Sequence, residues 1–332
     1  VEVEGKVVSK LMVEGKDLFD GDTKLATKNI PSNAVDKVQV LKNYSEVSQL
    51  GGVTNNQNNV AINIKLKEGK KNFWFGNVTA GAGDSDNKTL YLAQPKLFYY
   101  SPDYSINFIG DLNNIGEVAF SRRDYFNFTG GFRRPSLSSG TSLNLGSNDI
   151  GFLTLQNDRA QDINTKFAAT NFSWSPKKTL DLGGFAIFSN SRNELQENRT
   201  IQYTNPDLNI PDERTENNTV QENNLGMLKL SLKYQPNANN QMEYDIFGQM
   251  SKSEQDQRFF SSINNNIDQL EETTPYNVSQ NLNYYYTLNE NNIFALEAQH
   301  VIKDEDPFYN AILQDKLNYG GTAANLGLDD NQ

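Results

Sequence analysis

Neighbouring carboxylates are the residues in this sequence with the clearest potential for catalysis. They occur as Asp20 with Asp22, Asp84 with Asp86, Glu271 with Glu272, and Asp304 with Glu305 and Asp306. Hydrolytic carboxylates act as an acid and a base only in a cleft that separates their pKa values. All four groups fall in predicted turns or loops, where solvated charge is the ordinary state. We therefore predict no catalytic residue among them.

Other residue types that carry chemistry are scarce. Cysteine is absent from the 332 residues, which excludes disulfides, thiol nucleophiles and cysteine metal sites. His300 is the single histidine, so a multi-histidine metal site is also excluded. Residues 83–87 have part of the spacing of a calcium loop but lack its central glycine and distal glutamate. The sequence predicts no metal site and no cofactor.

One segment, residues 121–135, combines arginines with aromatic rings. Forked guanidinium hydrogen bonds and ring stacking together suit the capture of an anionic or a sugar-like ligand. The predicted ligand-binding residues, in an outer loop, are Arg122, Arg123, Tyr125, Phe126, Arg133 and Arg134. The alternative interpretation is a continuing strand and loop that packs on its neighbours.

The charge balance restricts the partners. Asp and Glu number 41 against 30 Lys and Arg, which gives a formal charge of −11. Nucleic acid is therefore not expected as the main partner, because a phosphate backbone binds a cationic surface. No apolar run approaches the roughly 18 residues of a membrane helix. A membrane barrel is compatible with this composition, because its strands alternate between apolar and polar residues.

The first seventy residues are predicted to form a small α+β unit of short strands. The predicted strands cover residues 1–8, 11–18, 34–42 and 60–67, with a helical turn at 23–29. The last strand alternates most cleanly, with Val60, Ile62 and Ile64 on one face. Residues 68–72 are predicted to be a linker.

Three segments of this unit carry a resemblance to a known family. They are residues 11–16, which contain Val13-Glu14-Gly15, residues 30–42, and residues 58–67, which contain Asn59-Val60-Ala61-Ile62. Their order resembles the second half of the plug domain of TonB-dependent outer-membrane receptors of the Bacteroidetes type. The Gly-rich segment that these receptors carry is replaced here by residues 50–59. This departure favours a branch other than the best-known glycan importers.

The resemblance implies transport, in which no bond of the ligand changes, so no enzymatic activity is expected. In such receptors a ligand binds outer loops and the plug apex, and TonB, driven by its inner-membrane energy complex, pulls on the plug so that the ligand enters the periplasm. The implied partners are TonB with that complex, outer-membrane lipid, a small ligand of unknown identity and, as a further candidate, a surface lipoprotein. The implied location is the cell outer membrane.

From residue 72 onwards the pattern predicts nine strands. They cover residues 73–82, 90–100, 104–112, 166–174, 180–189, 225–234, 242–251, 276–286 and 294–300. In the seventh, Met242 and Ile246 share one face and Glu243 the other. Lengths near ten residues fit the roughly 9–11 that a tilted strand needs to cross a bilayer.

The connections between these strands are predicted to alternate in length. Tight turns follow residues 100, 174, 234 and 286, whereas three of the four other connections are long: 113–165, 190–224 and 252–275. We expect residues 303–332 to be a further outer loop. Short turns at one end and long loops at the other are typical of outer-membrane barrels.

Side-chain types within the strands support a membrane-spanning wall. Aromatic residues near the short turns predict a girdle at the headgroup level: Tyr99, Tyr100, Tyr104, Trp174, Tyr234, Tyr244, Tyr284 and Tyr286. The alternative is ordinary β propensity, since Tyr and Trp favour strands anyway. The residues predicted to line the lumen are Lys229, Lys233, Glu243, Asp245 and Glu297.

The predicted fold is mostly β, with the C-terminal part of a plug at 1–70 and the N-terminal part of an antiparallel up-and-down transmembrane β-barrel at 71–332. A bacterial barrel normally closes with an even strand number, and an open edge in lipid leaves backbone groups unsatisfied. We therefore expect the chain to be a piece of a longer, processed protein. Two alternatives remain: a soluble or surface-attached β-sandwich that binds glycans, and an adhesive outer-membrane barrel without transport.

Overall fold

The computed structural model contains two β-sheets. It describes residues 2–17, 30, 32–45, 60–69, 72–85, 88–117, 160–202, 204, 211–263, 266–289, 291–304 and 307–313. No helix among these residues is long and apolar enough to cross a membrane.

The small sheet is built from the first five strands. These are β1 (Glu2–Val3), β2 (Lys6–Val13), β3 (Lys16–Asp17), β4 (Val35–Lys42) and β5 (Val60–Leu66), with a 3-10 turn at Ser32–Ala34 before β4. The strand order is β1-β2-β5-β4, and β3 pairs with β2. The β2–β5 pair is parallel and the other pairs are antiparallel.

The predicted strands at 34–42 and 60–67 are confirmed, but the two earlier ones have the wrong bounds. One strand, β2, runs through the predicted break at residues 9–10. The chain reverses instead at Glu4-Gly5 and Glu14-Gly15, where φ is positive at all four residues. The predicted helical turn at 23–29 lies outside the described residues.

Glu14 lies in the turn between β2 and β3 and is hydrogen-bonded to the end of β5. Its carboxylate accepts hydrogen bonds from the Leu66 amide at 2.7 Å and from Lys65 Nζ at 3.0 Å, and its own amide donates to Ile64 O at 2.9 Å. The β2–β3 turn is therefore bonded to the end of β5. At the opposite end of the strands, Lys42 donates a hydrogen bond to the exposed Glu4 carboxylate, which holds the pKa of Glu4 below its usual value.

The large sheet has eleven strands. They are β6 (Phe73–Ser85), β7 (Lys88–Tyr100), β8 (Tyr104–Asn113), β9 (Ala160–Lys177), β10 (Leu180–Ile201), β11 (Glu213–Asn237), β12 (Asn240–Ser261), β13 (Ile267–Thr273), β14 (Tyr276–Asn289), β15 (Asn292–Asp304) and β16 (Pro307–Leu313). Nine of them pair in the antiparallel order β15-β14-β12-β11-β10-β9-β8-β7-β6, while β13 pairs with β12 and β16. Each of the nine predicted strands corresponds to one strand on this path. In the described residues β6 and β15 do not pair with each other, so the sheet is open.

Three strands are much longer than predicted. β10, β11 and β12 contain 22, 25 and 22 residues. Most of the predicted loops at 190–224 and 252–275 is therefore strand, and part of the predicted loop at 303–332 is β16. The prediction failed because both faces of these extensions carry polar residues, so the polarity alternation that marks a half-buried strand is lost.

The tight turns are confirmed. Strands β7 and β8 are joined by residues 101–103, β9 and β10 by 178–179, β11 and β12 by 238–239, and β14 and β15 by 290–291. All four turns lie at the same end of the sheet because the strands run up and down in sequence. At the other end, residues 118–159 of one predicted long connection lie outside the described part of the chain.

The hydrophobic core lies where the small sheet meets the large one. Its buried members from the small sheet are Val8, Leu11, Val13, Ala34, Ile62, Ile64 and Leu66, and they pack against Phe98 and Tyr100 of β7. Phe73, Phe75 and Ile109 complete the contact, and the rings of Phe75 and Phe98 stack at 4.9 Å. We call this contact the seam. It attaches the small sheet to one face of β6–β8.

One residue predicted for the aromatic girdle, Tyr100, does not lie on the outer face of the sheet. It is 3% exposed and belongs to the seam, whereas its neighbour Tyr99 lies on the opposite face. Successive side chains of a strand point to opposite faces, so only one of two adjacent tyrosines can face a membrane.

Gly76 allows close pairing of β6 with β7. Its φ is +155°, and a Cβ atom there would lie 2.0 Å from the backbone oxygen of Lys96. We expect Gly76→Ala to destabilise the sheet by about 1–3 kcal/mol, because the strands must separate or the backbone must strain. The thermal unfolding midpoint of the detergent-purified protein measures this. Gly248→Ala in β12 is the control, since a Cβ there meets no atom within 4 Å; equal effects of the two variants would contradict the assignment.

Substitution of Leu66 tests how much the seam stabilises the small sheet. Leu66 is 5% exposed, and its truncation to alanine should loosen the small sheet by about 2–5 kcal/mol. We expect faster hydrogen exchange at the amides of β5, measured by mass spectrometry on the whole chain. Val38→Ala, at a β4 position that is 56% exposed, should leave the exchange unchanged. Unaltered exchange in Leu66→Ala would show that the seam contributes little.

Candidate functional site

The two faces of the large sheet differ in which side chains they expose to the surroundings. One face, here called the outer face, exposes large apolar side chains, including Phe188, Leu228, Leu230, Met250 and Leu296. The opposite, inner face buries a mixture of polar and apolar side chains, including Asn107, Asn171, Gln249, Phe185, Met227 and Phe247. Water-soluble proteins bury the apolar set, so exposed apolar rows indicate a surface that meets lipid or another apolar partner.

The apolar surface has defined limits. On one side it ends at the cross-strand row Phe188, Gly226, Met250 and Tyr276, and the next outer row begins with Asn190, Asn224 and Lys252. Near the short turns it ends at the row Leu180, Tyr234, Met242 and Tyr284. Each strand thus contributes about nine residues, close to the roughly 9–11 that cross a bilayer. We call this region the apolar band.

An aromatic row marks the short-turn end of the band. Trp74 contacts Tyr99 at a ring distance of 4.9 Å, Tyr99 stacks on Tyr104 at 5.1 Å, and Tyr104 is paired with Trp174. Tyr234, Tyr244, Tyr284 and Tyr286 share the outer face farther along the sheet. Trp74 was missed by the sequence analysis, although it lies in a predicted strand.

The five residues predicted to line a lumen all lie on the inner face. Lys233 Nζ lies 3.6 Å from Glu243 Oε1, and Lys229 and Asp245 occupy neighbouring positions, opposite Phe247 and Ser231. Glu297 is opposite Asn283 on the next pair of strands. The structure therefore brings the five residues together on one surface, and their role in a lumen stays a prediction.

Two inner-face residues escaped the sequence analysis. Gln241 is fully buried and donates a 2.7 Å hydrogen bond from Nε2 to Glu243 Oε1. The hydroxyl of Tyr285, also fully buried, donates to Glu297 Oε1 at 3.0 Å. Gln241 lies two residues before Glu243, so the polarity alternation of the sequence could have placed it on the same face. Tyr285 was hidden in a run of three tyrosines.

The predicted ligand-binding residues, from Arg122 to Arg134, lie outside the described residues. The chain approaches them through a hydrogen-bonded network at the end of β8. Gln94 Nε2 donates to Asp111 at 2.9 Å and to Glu117 at 2.7 Å, and Asn113 Nδ2 donates to Asp111 at 2.8 Å. These bonds tie Gln94 of β7 to Asp111 and Glu117, near the end of the described segment.

Of the four carboxylate groups singled out in the sequence, only the pair Glu271 and Glu272 lies entirely within the described residues. Glu271 and Glu272, predicted in a loop, are adjacent residues of β13, so their side chains point to opposite faces. Glu272 pairs with Lys252 at 3.1 Å. No group of three or more acidic or histidine side chains among the described residues is placed to hold a metal ion.

Comparisons with known proteins find weak structural similarity and no sequence relative. Neither a protein-family model nor a curated protein matches the sequence. The ferric preacinetobactin receptor BauA of Acinetobacter baumannii has a TM-score of 0.31 at 9% identity, over 92% of this chain and 55% of that one. The siderophore receptor PiuA of the same organism has a TM-score of 0.16 at 11% identity, over 91% and 54%. This chain spans about half the length of each receptor.

A shorter protein also appears in the structural comparison. OmpT of Vibrio cholerae, an outer-membrane protein with its loop L8 deleted, has a TM-score of 0.13 at 8% identity, over 71% of this chain and 90% of that one. The described strands make the chain a mostly β protein. Its structural resemblance to the siderophore receptors and to the outer-membrane protein is weak, and no substrate is indicated.

Proposed function

We propose that this chain forms part of the barrel wall and part of the plug of a TonB-dependent outer-membrane transporter that imports a nutrient ligand. The observation that carries the proposal is the set of exposed apolar rows on the outer face of the large sheet, together with the small sheet attached to its inner face. The apolar band has the height of a bilayer core, and an aromatic row marks its end, as expected where strands meet lipid headgroups. The Val13-Glu14-Gly15 and Asn59-Val60-Ala61-Ile62 segments that resemble a plug lie beside this wall.

Closure of the sheet into a barrel is part of the proposal. The free edges of β6 and β15 carry unpaired backbone amides and carbonyls at the depth of the apolar band, and each costs several kcal/mol in hydrocarbon. Further strands that pair with both edges would remove this cost. The inner face then encloses a polar lumen, which the small sheet obstructs at β6–β8.

The mechanism follows from this arrangement. A ligand binds on the outer side, in the region of the segment that contains Arg122 and Arg134, and above the small sheet. TonB and its inner-membrane energy complex displace part of the small sheet, and the ligand passes along polar side chains such as Lys233 and Glu243. No bond of the ligand changes, so the protein acts as a transporter rather than an enzyme, in the outer membrane and in contact with its lipid.

The two alternative functions, a soluble β-sandwich and an adhesive barrel, require different contacts between the sheets. A soluble β-sandwich that binds glycans would cover Leu228 and Leu230 with a second sheet, but the small sheet in the described structure packs on the opposite face. An adhesive barrel without transport needs no plug, whereas here a separate sheet is attached inside the wall by the seam.

Arginine substitutions at Leu230 and Ser231 distinguish a membrane-spanning wall from a soluble protein. Leu230 is 42% exposed on the outer face, and Ser231 lies next to it on the inner face, opposite Asp245. In lipid, Leu230→Arg should cost about 2–4 kcal/mol and reduce the amount of folded protein in outer-membrane fractions. Ser231→Arg should be tolerated, since its side chain points to the polar face. A soluble protein would tolerate Leu230→Arg as well, and that result would refute the membrane assignment.

Deletion of residues 2–67 tests whether the small sheet is a plug. We expect cells that produce the deletion variant to become sensitive to vancomycin, which is too large for ordinary porins, because the lumen is no longer obstructed. Glu4→Ala, which removes only the exposed ion pair with Lys42, should leave the cells resistant. Resistance of cells that contain equal outer-membrane amounts of the deletion variant would contradict a plugged pore.

A further inference from the structure

Two polar side chains lie in the middle of the apolar band. The band covers residues 242–250 of β12, so the outer side chain of Ile246 lies in its middle row. That row continues to Gln280 of β14 and from there to His300 of β15. We call Gln280 and His300 the polar pair. The single histidine of the chain is therefore placed on the outer face, at the mid-depth of the proposed bilayer contact.

The rows on both sides of the polar pair are apolar. Toward the short turns Leu282 faces Ala298, and toward the far end of the strands Val278 faces Ile302. Within the pair, the histidine is exposed and the glutamine is half-buried. Polar side chains at such a depth are costly in lipid, and in membrane proteins they almost always face protein or water. The polar pair thus indicates that this part of the band is covered by something other than acyl chains.

Hydrogen bonding within the sheet satisfies the polar pair only in part. Gln280 Oε1 accepts a hydrogen bond from the Tyr244 hydroxyl at 3.0 Å. Within the described part of the chain, no hydrogen bond engages Gln280 Nε2 or the ring of His300. A neutral imidazole has one donor and one acceptor nitrogen, and the amide nitrogen is a donor. The partner that covers the pair must therefore bring both an acceptor and a donor.

A second copy of this chain meets these requirements. Acyl chains at mid-depth offer neither donors nor acceptors. A two-fold axis along the membrane normal keeps each residue at its own depth, so the polar pair of one copy meets the polar pair of the other. Gln280 Nε2 of each copy can then donate to the imidazole of the other, and symmetry doubles every bond. Strands that close the barrel at the free edge of β15 leave this surface facing outward, because side chains stand perpendicular to a sheet.

We propose that the polar pair is the centre of a membrane-embedded contact between two copies of this chain, in which Gln280 and His300 hydrogen-bond across a two-fold axis. The proposal rests on the proposed function, because it needs the outer face to lie in a membrane. It adds that the barrel walls associate through β14 and β15.

The absence of cysteine from the 332 residues allows the contact to be mapped with single thiols. Ala298→Cys and Ile302→Cys place a thiol on β15, one row to either side of the polar pair. Leu232→Cys is the matched control, since it lies in the same outer row as Ala298 but three strands away, on β11. Outer membranes that contain each variant are oxidised with copper phenanthroline and analysed on non-reducing gels. We expect disulfide-linked dimers from a β15 variant and none from the control, because a disulfide requires Cα atoms within about 7 Å.

Removal of the polar groups tests whether hydrogen bonds hold the contact. The detergent-purified whole chain and its variants are compared by sedimentation equilibrium. We expect Gln280→Leu/His300→Leu to raise the dissociation constant of the dimer roughly tenfold, because interstrand hydrogen bonds across the contact are lost. Ile246→Leu, in the same row, removes no polar group and should leave the dissociation constant unchanged. Equal circular dichroism spectra confirm that the variants fold.

Three results would overturn the proposal: a monomer in both the oxidised membranes and the sedimentation experiment, equal cross-linking of the β15 and β11 thiols, or a dimer that the leucine double variant leaves unchanged. Its failure is distinguishable from failure of the membrane assignment. A monomeric protein that still tolerates Ser231→Arg and rejects Leu230→Arg removes the contact between copies and leaves the membrane wall. Tolerance of both arginine variants removes the wall itself.

Discussion

The pairing register of the large sheet is the constraint on which the other features depend. Side chains alternate between faces with a period of two, so a shift of one residue would exchange the faces of an entire strand. With the observed register, Leu230 and Ile246 lie in one outer row, and Lys229 and Phe247 lie in an inner one. A slip of β12 by one residue would place Glu243 and Asp245 among the apolar rows. The tight turns, such as the one at residues 238–239, hold this register.

The seam couples the two sheets. Leu66 and Val13 of the small sheet are buried against Phe98 and Tyr100, so one apolar core lies between the two sheets, while Phe185 and Phe247 are buried on the inner face elsewhere in the large sheet. The outer face of the large sheet carries exposed apolar side chains, for which the proposed lipid contact supplies an apolar partner. The proposal thus accounts for exposed apolar rows in a chain with a formal charge of −11.

The strand extensions place a second kind of surface next to the first. Because β10–β12 keep their pairing beyond Phe188 and Met250, the inner face continues without a break from the Lys233–Glu243 region near the short turns to the far end of these strands. Backbone hydrogen bonds fix the spacing of its side chains, with neighbouring strands about 4.8 Å apart.

The sequence by itself determined the two-part division of the β elements, nine strands of the large sheet, the tight turns, and the face on which residues such as Lys229 and Glu243 lie. These follow from local rules, namely turn chemistry and a polarity period of two. Tertiary structure alone decided that Tyr100 faces the seam while Tyr99 faces outward, and that Gly76 must lack a side chain beside Lys96. It also decided that residues 190–201 and 252–261 are strands, because a strand that is polar on both faces is stabilised by its backbone partners, and the identity of a partner strand is not written in the local pattern.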